Sequence, residues 1–140
     1  MKGRLPSRRD GPGVWFPIGG GAEPGETAPE AAAREIVEET GFAEFELGPL
    51  VGRREGMMRL AGDEEVWFDE HYFLARCAGA EPVRHGWQAD ERDLIDDIRW
   101  WTLAELQATE ERVIPPGLAV LLADIVALRL PDPPLVIPWR

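Results

Sequence analysis

The sequence predicts a mixed α/β fold in which helices flank a mixed β-sheet. Three stretches lead to this prediction: a capped helix over residues 27–40, a β-rich stretch over residues 45–77, and an apolar helix over residues 118–130. Strands and long helices do not alternate regularly, which argues against a doubly wound parallel sheet. The chain of 140 residues has the length of one domain, so we expect a single domain over residues 1–140.

The first helix is predicted from its two ends. Thr27 and Glu30 have the spacing of a capping box, and Pro29 falls in the first turn, where a helix tolerates proline. Gly41 supplies a stop at the other end. We therefore expect a helix over residues 27–40.

The β-rich stretch predicts an antiparallel hairpin. Residues 45–77 are rich in the residue types that strands favour. Gly62 and Asp63 have the character of a turn between a strand that ends near Leu60 and another over Val66–Arg76. Cys77, directly after this strand, is expected to be a small buried hydrophobic residue.

The C-terminal half adds shorter elements. Residues 98–102 predict a short strand, with one of Trp100 and Trp101 in the core and the other at the surface. Residues 103–107 predict a helical turn, and a helix follows Pro115 and Pro116 over residues 118–130. The apolar residues of this last helix predict a core or dimer contact.

The net charge of the chain restricts the kinds of molecule that it can bind. The chain has 15 Lys and Arg against 26 Asp and Glu, a net charge of −11, so long nucleic acid and anionic membrane surfaces are unfavourable partners. A small anionic substrate needs cations to neutralise carboxylates first, which points to a divalent metal. The chain begins without the apolar stretch of a signal peptide and has no apolar run of membrane-spanning length, so a cytoplasmic location is expected.

Three glutamates share one face of the first helix. Glu35, Glu38 and Glu39 stand at i, i+3 and i+4, which brings their carboxylates together in one stripe. Their mutual repulsion costs stability unless something offsets it, and a hard divalent cation does so naturally. The residues of the opposite stripe are expected to pack on the sheet: Ala33, Ile36, Val37 and Thr40.

The neighbouring residues fit the same site. Arg34, one turn before Glu38, can pair with a carboxylate and hold its rotamer. Glu26 in the preceding loop can close over the same face. The glycines of this loop, Gly20 and Gly21 among them, permit a close approach of the backbone to the helix.

The loop and helix together resemble the Nudix hydrolase family. Gly20, five residues, Glu26, seven residues and then the run Arg34–Phe42 are similar to the complete Nudix box, here residues 20–42. Weaker similarity extends to Trp15 and Phe16, to residues 71–75 and to residues 99–106.

The resemblance implies an α/β/α sandwich in which box glutamates bind Mg²⁺ or Mn²⁺ around a diphosphate. Glu35, Glu38 and Glu39 would be the metal ligands, with Arg34 in support and Gly20, Gly21 and Glu26 lining the metal side. The implied reaction is hydrolysis of a diphosphate linkage in a nucleoside diphosphate joined to another moiety. The position of the catalytic base varies within the family, and three candidates stay open here: Glu39, Glu70 and Glu91.

Two departures from the family pattern stand out. Ile18 occupies the place where the family usually has proline, which we expect to alter loop shape only. The N-terminal strand looks shortened or missing, because so few residues precede Trp15. An exposed sheet edge would follow, and such edges are usually paired, so we hypothesise a homodimer.

Each acidic site also has a simpler interpretation that involves no catalysis. The helix glutamates could form a solvated face held by Arg34, Glu70 could point to solvent, and the stretch Asp90–Asp93 around Glu91 could serve solubility alone. A non-catalytic module that senses a nucleotide is the alternative function, although such modules usually lack some box glutamates. A glycosidase is discounted, because it needs two carboxyl groups facing each other across a cleft.

The remaining chemistry-bearing residues have structural interpretations. His71 and His85 have no partners at metal-ligand spacing. Trp15 and Trp67 could line a nucleobase pocket, but core packing explains them equally well.

Overall fold

The computed structural model describes residues 1–4, 11–60, 63–84, 87 and 94–139. Within these ranges the chain is a mixture of helices and strands, as the sequence predicts. The elements run in the order β1 (Lys2–Gly3), β2 (Val14–Trp15), α1 (Ala28–Thr40), β3 (Phe45–Arg59), β4 (Glu65–Cys77), β5 (Ile95–Asp97), α2 (Leu103–Ala108), α3 (Leu118–Val126) and β6 (Leu135–Val136).

The strands of the described ranges form two sheets of three strands, where one sheet was expected. In the first sheet the order is β2-β1-β5, and both pairings are antiparallel. In the second the order is β4-β3-β6, with β4 antiparallel and β6 parallel to β3. The second sheet is therefore mixed, which agrees with the α/β/α sandwich of the predicted fold class.

The hairpin of β3 and β4 is confirmed. Phe45 pairs with Cys77 at one end and Arg59 with Glu65 at the other. Asp63, in the expected turn, has the left-handed φ of 65°; Gly62 lies outside the described residues. Val51 of β3 packs in the core with Leu121 of α3 and Ile137 after β6. The C-terminal part of the chain thus covers this sheet.

Both ends of α1 are as predicted. The hydroxyl of Thr27 accepts a hydrogen bond from the backbone of Glu30, and the carboxylate of Glu30 accepts one from the backbone of Thr27 at 2.8 Å. Gly41 has a φ of 74° and donates its N–H to the carbonyl of Val37. Helix α1 therefore starts and stops where local chemistry dictates.

The expected orientation of α1 is wrong in one respect. Val37, expected to pack on the sheet, is 47% exposed, whereas Glu35 and Glu39 are among the buried residues. Thr40, also from the opposite stripe, is fully buried as expected. The carboxylate stripe is thus largely turned into the protein, where contacts from Arg34 on the same helix and from Gly19 in the preceding loop offset the cost of burial.

Two predicted elements of the C-terminal half have different bounds. The predicted strand over residues 98–102 is found at Ile95–Asp97 instead, because Thr102 is already the N-cap of α2. Helix α3 ends at Val126, four residues before the expected end, where Leu128 takes a left-handed φ of 58°. Within residues 98–102, Trp100 is 52% exposed and Trp101 packs edge-on against the buried Trp15.

The N-terminal strand is short but not missing. Strand β1 lies between β2 and β5, so it is not a free edge of its sheet. The outer side of β2 is also covered, because the N–H of Trp15 donates to the carbonyl of Arg112 at 2.9 Å. Among the residues that the structure describes, the exposed N-terminal edge that suggested a homodimer is therefore not observed.

Two further findings bear on the predictions. Cys77, the last residue of β4, is exposed and not buried as expected. None of the helices in the described ranges has the length and apolar character needed to cross a membrane.

Candidate metal and catalytic site

The glutamates of α1 form the densest group of carboxylates in the predicted site. Glu35 is 6% exposed and Glu39 5% exposed, while the side chain of Glu38 is 35% exposed. Burial of a carboxylate is costly unless hydrogen bonds or an opposite charge compensate it. The burial of these carboxylates is therefore explained by the hydrogen-bond and ion-pair partners described below.

Arg34 is the cationic partner of the helix carboxylates. Its Nη1 donates to Oε1 of Glu35 at 2.7 Å and to Oε2 of Glu38 at 3.2 Å. One guanidinium thus offsets the repulsion between two carboxylates on neighbouring turns. This is the supporting contact that the sequence predicts for Arg34.

The same guanidinium ties the preceding loop to the helix. Its Nε and Nη2 donate to the two carboxylate oxygens of Glu26, each at 3.0 Å, and Nη2 also donates to the carbonyl of Gly21 at 2.9 Å. The backbone N–H of Glu23 donates to Glu26 as well, at 2.8 Å. Glu26 and Gly21 are therefore joined to the face that carries the helix glutamates.

Gly20 lets the loop pass close to the helix. A Cβ at this position would lie 2.1 Å from Oε1 of Glu35, which no side chain allows without displacing that carboxylate. Gly21, in contrast, has open space around it and contributes through its carbonyl. The close approach expected from the glycines is thus found at Gly20.

Glu39 is held from two directions. Its Oε2 accepts a hydrogen bond from the backbone N–H of Gly19 at 2.8 Å. Its main-chain carbonyl accepts one from the indole Nε1 of Trp87, also at 2.8 Å. No motif in the sequence signals the contact of Trp87, because it joins residues that are far apart in the chain.

The contacts of Arg34 shift the pKa of its partner. The hydrogen bond from Arg34, together with the backbone hydrogen bond from Glu23, lowers the pKa of Glu26 below its ordinary value of 4.5. The pKa of Arg34 is raised in turn, chiefly by Glu26 and then by Glu35. This loop-to-helix contact is thus a bond between two fully charged groups at neutral pH.

We expect Arg34→Lys to reduce stability in a pH-dependent way, because lysine cannot form the forked contact to Glu26. Because the pKa of Glu26 is lower in the folded protein than its ordinary value of 4.5, the ionised carboxylate stabilises the fold above pH 4.5. This contribution disappears as the pH falls through the pKa that Glu26 has in the folded protein. The difference in melting temperature between wild type and variant should therefore be largest near neutral pH and vanish in acid. Arg53→Lys is the control, since Arg53 pairs with Asp69 where both are exposed. An equal difference at every pH would contradict the assignment.

The donor set fits a hard divalent cation. Carboxylate oxygens from neighbouring helix turns are the ligands that Mg²⁺ and Mn²⁺ take in proteins. Within the described ranges, no three acidic, His or Cys side chains are already arranged to hold a metal ion. Glu35 and Glu38 turn toward Arg34 and Glu39 toward Gly19, so a cation would have to draw them from these partners.

Glu70 lies in a different network. Its carboxylate accepts from Arg54 at 2.6 and 3.2 Å and from the hydroxyl of Tyr72 at 2.5 Å. Arg54 is only 5% exposed and also lies over the ring of Trp139, 4.5 Å from its centroid. Burial, followed by the contact with Glu70, raises the pKa of Tyr72. Glu70 is therefore a partner of a buried cation, a role that its sequence context does not reveal.

Only some of the other predicted site residues lie within the described ranges. Glu91, with Asp90, Asp93 and His85, lies outside the described residues. The imidazole of His71 is 3.7 Å from a carboxylate oxygen of Asp69. Trp15 is 4% exposed and belongs to the core, whereas Trp67 is 57% exposed.

Comparison with known proteins identifies the family of the chain and a curated relative. The family model described as NUDIX domain matches residues 2–121. An RNA pyrophosphohydrolase of Erythrobacter litoralis (strain HTCC2594) is 37% identical over 79 residues, which is 49% of this chain and 48% of the relative. The chain thus spans about half the length of that relative. No solved structure matches this chain.

Proposed function

The chain belongs to the NUDIX domain family, and on that premise we propose that it hydrolyses the pyrophosphate linkage of a nucleoside diphosphate joined to another moiety. The observation that carries the proposal is the clamp of Arg34, which gathers Glu26, Glu35 and Glu38 on one side of the loop and helix. In this proposal a metal ion draws the carboxylates of Glu35 and Glu38 partly away from Arg34, which keeps Glu26 beside them. Retention of all the box glutamates favours an enzyme over a nucleotide-sensing module.

In this proposal Glu35, Glu38 and Glu39 bind Mg²⁺ or Mn²⁺. When bound, such an ion withdraws charge from the phosphate oxygens and lowers the pKa of a water molecule. Arg34 keeps the carboxylates of Glu35 and Glu38 close together, and Gly19 directs the carboxylate of Glu39. Gly20 leaves room for Glu35 beside the loop.

The chemical step is the transfer of a phosphoryl group to water. A glutamate accepts a proton from the attacking water, a new P–O bond forms, and the anhydride P–O bond breaks with its electron pair going to the leaving phosphate. Two phosphorylated products result. Glu39 and Glu91 are our preferred candidates for the base, because the carboxylate of Glu70 is held by Arg54 and Tyr72.

A small nucleotide is the proposed substrate class. The net charge of −11 opposes contact with a long polyanion, whereas a single metal-bound diphosphate is a local interaction. The 5′ end of an RNA is the second candidate, and the name of the Erythrobacter relative, RNA pyrophosphohydrolase, is the observation that favours it.

The proposal is tested by product release from a substrate panel. The panel contains nucleoside triphosphates, nucleotide sugars, ADP-ribose, dinucleoside polyphosphates and a short 5′-triphosphorylated RNA, each with Mg²⁺, with Mn²⁺ and with EDTA. We expect turnover of a small nucleotide that EDTA abolishes. Metal-dependent turnover of the RNA alone would select the second candidate, and a folded, metal-binding protein that leaves the whole panel intact would favour the sensing module.

A further inference from the structure

The C-terminal turn of α1 is also held by two residues from a later part of the chain, Val83 and Trp87. The last carbonyl groups of a helix have no partner within the helix. Here the carbonyl of Glu39 accepts from the indole of Trp87 at 2.8 Å, and the carbonyl of Thr40 accepts from the backbone N–H of Val83 at 2.8 Å. Trp87 is 5% exposed, so its contact is shielded from water.

Arg84 connects Trp87 to the first sheet. The guanidinium of Arg84 lies over the ring of Trp87, 5.0 Å from its centroid, and its Nη2 is 3.4 Å from a carboxylate oxygen of Asp97 in β5. A side chain on Gly41 would place its Cβ 2.2 Å from Cγ2 of Val83. The indole of Trp87 thus contacts both α1 and the side chain of Arg84, which in turn pairs with β5.

The two contacts of Glu39 act on different ends of the same residue. Gly19 fixes the carboxylate, and Trp87 fixes the main-chain carbonyl that follows the Cα. Without the indole N–H, the shielded carbonyl of Glu39 loses this donor, and the last turn relaxes to expose the carbonyl or to find another donor. Such a change moves the Cα of Glu39 and therefore its carboxylate, and Mg²⁺ tolerates little error in ligand position.

We propose that Trp87 is a positioning residue, which sets the carboxylate of Glu39 for metal binding by hydrogen bonding to the carbonyl of the same residue. This inference rests on the proposed function, in which Glu39 is a metal ligand. If Trp87 only capped the helix, its loss would change stability alone. If Trp87 positions Glu39, loss of the indole N–H also weakens the affinity for the metal ion, even without substrate.

The test is the substitution Trp87→Phe, which keeps an aromatic ring but removes the N–H donor together with part of the indole. The matched control is Trp139→Phe, since the indole of Trp139 donates to the carbonyl of Met57 at 3.0 Å, on the hairpin and not on α1. The affinity for Mn²⁺ is measured by electron paramagnetic resonance without substrate, and melting temperatures are recorded beside it. We expect roughly tenfold weaker Mn²⁺ binding for Trp87→Phe, the scale of loss of an outer-shell partner, and wild-type affinity for Trp139→Phe.

The outcomes separate this inference from the function on which it rests. Wild-type Mn²⁺ affinity in folded Trp87→Phe overturns the role of Trp87 and leaves the metal site intact, whatever happens to stability. A wild-type protein that binds no Mn²⁺ overturns both.

If the Trp87→Phe variant does not fold, a second measurement on the wild-type protein tests the same inference. The wild-type chain has six tryptophans, whose indole N–H resonances can be followed by NMR while Mg²⁺ is added without substrate. We expect the resonance of Trp87, assigned from its nuclear Overhauser contacts to Glu39, to shift more than those of Trp100 and Trp139. An unmoved Trp87 resonance under saturating Mg²⁺ would overturn the inference.

Discussion

Replacement of Glu38 by Gln is expected to reduce turnover by roughly a thousandfold or more, because a metal ion contributes several kcal/mol to the transition state and each 1.36 kcal/mol is a factor of ten. Glutamine keeps the size of the side chain but cannot supply a charged oxygen to the metal. The side chain of Glu38 is 35% exposed, so little folding energy depends on its charge. The loss should therefore appear in turnover and in metal dependence, with a nearly unchanged melting temperature.

The control for this substitution is Glu44→Gln, which makes the same change of charge at an exposed position just after α1. We expect wild-type turnover from it under the same metal concentrations. Arg34 retains Glu26 and Glu35 when Glu38 is neutralised, so the loop should stay attached to the helix. Full turnover by a folded Glu38→Gln protein would remove Glu38 from the metal site.

Local chemistry explains which parts of the fold could be predicted. The bounds of α1 follow from Thr27, Glu30 and Gly41, whose effects act within one helical turn. The hairpin follows from strand-forming residues and a turn, which are also close in sequence. These elements were therefore predictable from short windows, whatever the rest of the chain does.

The orientation of α1 could not be predicted in the same way. Hydrophobic periodicity directs Val37 inward and the glutamates outward, yet Val37 is exposed and Glu35 and Glu39 are buried. Their burial is compensated by Arg34 on the same helix and by Gly19, which lies 20 residues from Glu39. A single sequence does not show which backbone N–H will reach a carboxylate across such a distance.

Competition between neighbouring elements explains the displaced strand. Residues 98–102 have strand character, but Thr102 and Glu105 form a capping box that begins α2. The indole of Trp100 donates to the carbonyl of Ala80, and its ring stacks on Phe42. The side chain of Trp100 is thus placed by tertiary contacts, and pairing in the sheet is found at Ile95–Asp97.

The substitution Glu70→Gln is expected to lower the free energy of unfolding by about 2–3 kcal/mol, since removing one partner of a buried ion pair leaves the other charge uncompensated. Arg54 is 5% exposed and Glu70 27% exposed on their side chains, which places the loss at the lower end of the range for buried pairs. The stacked ring of Trp139 offers Arg54 some electrostatic compensation but no hydrogen-bond acceptor. Denaturant unfolding of the variant and the wild type measures the difference.

The same hairpin supplies a matched control for this prediction. Asp69, next to Glu70, pairs with Arg53 through contacts of 3.0 and 3.1 Å, but their side chains are 41% and 48% exposed. Asp69→Asn should therefore change stability by no more than about 0.5 kcal/mol, as is typical of surface ion pairs. Equal effects of the two substitutions would show that burial of Arg54 is not what gives Glu70 its importance. A Glu70→Gln protein of wild-type stability with greatly reduced turnover would instead assign this carboxylate to the chemical step, ahead of Glu39 and Glu91.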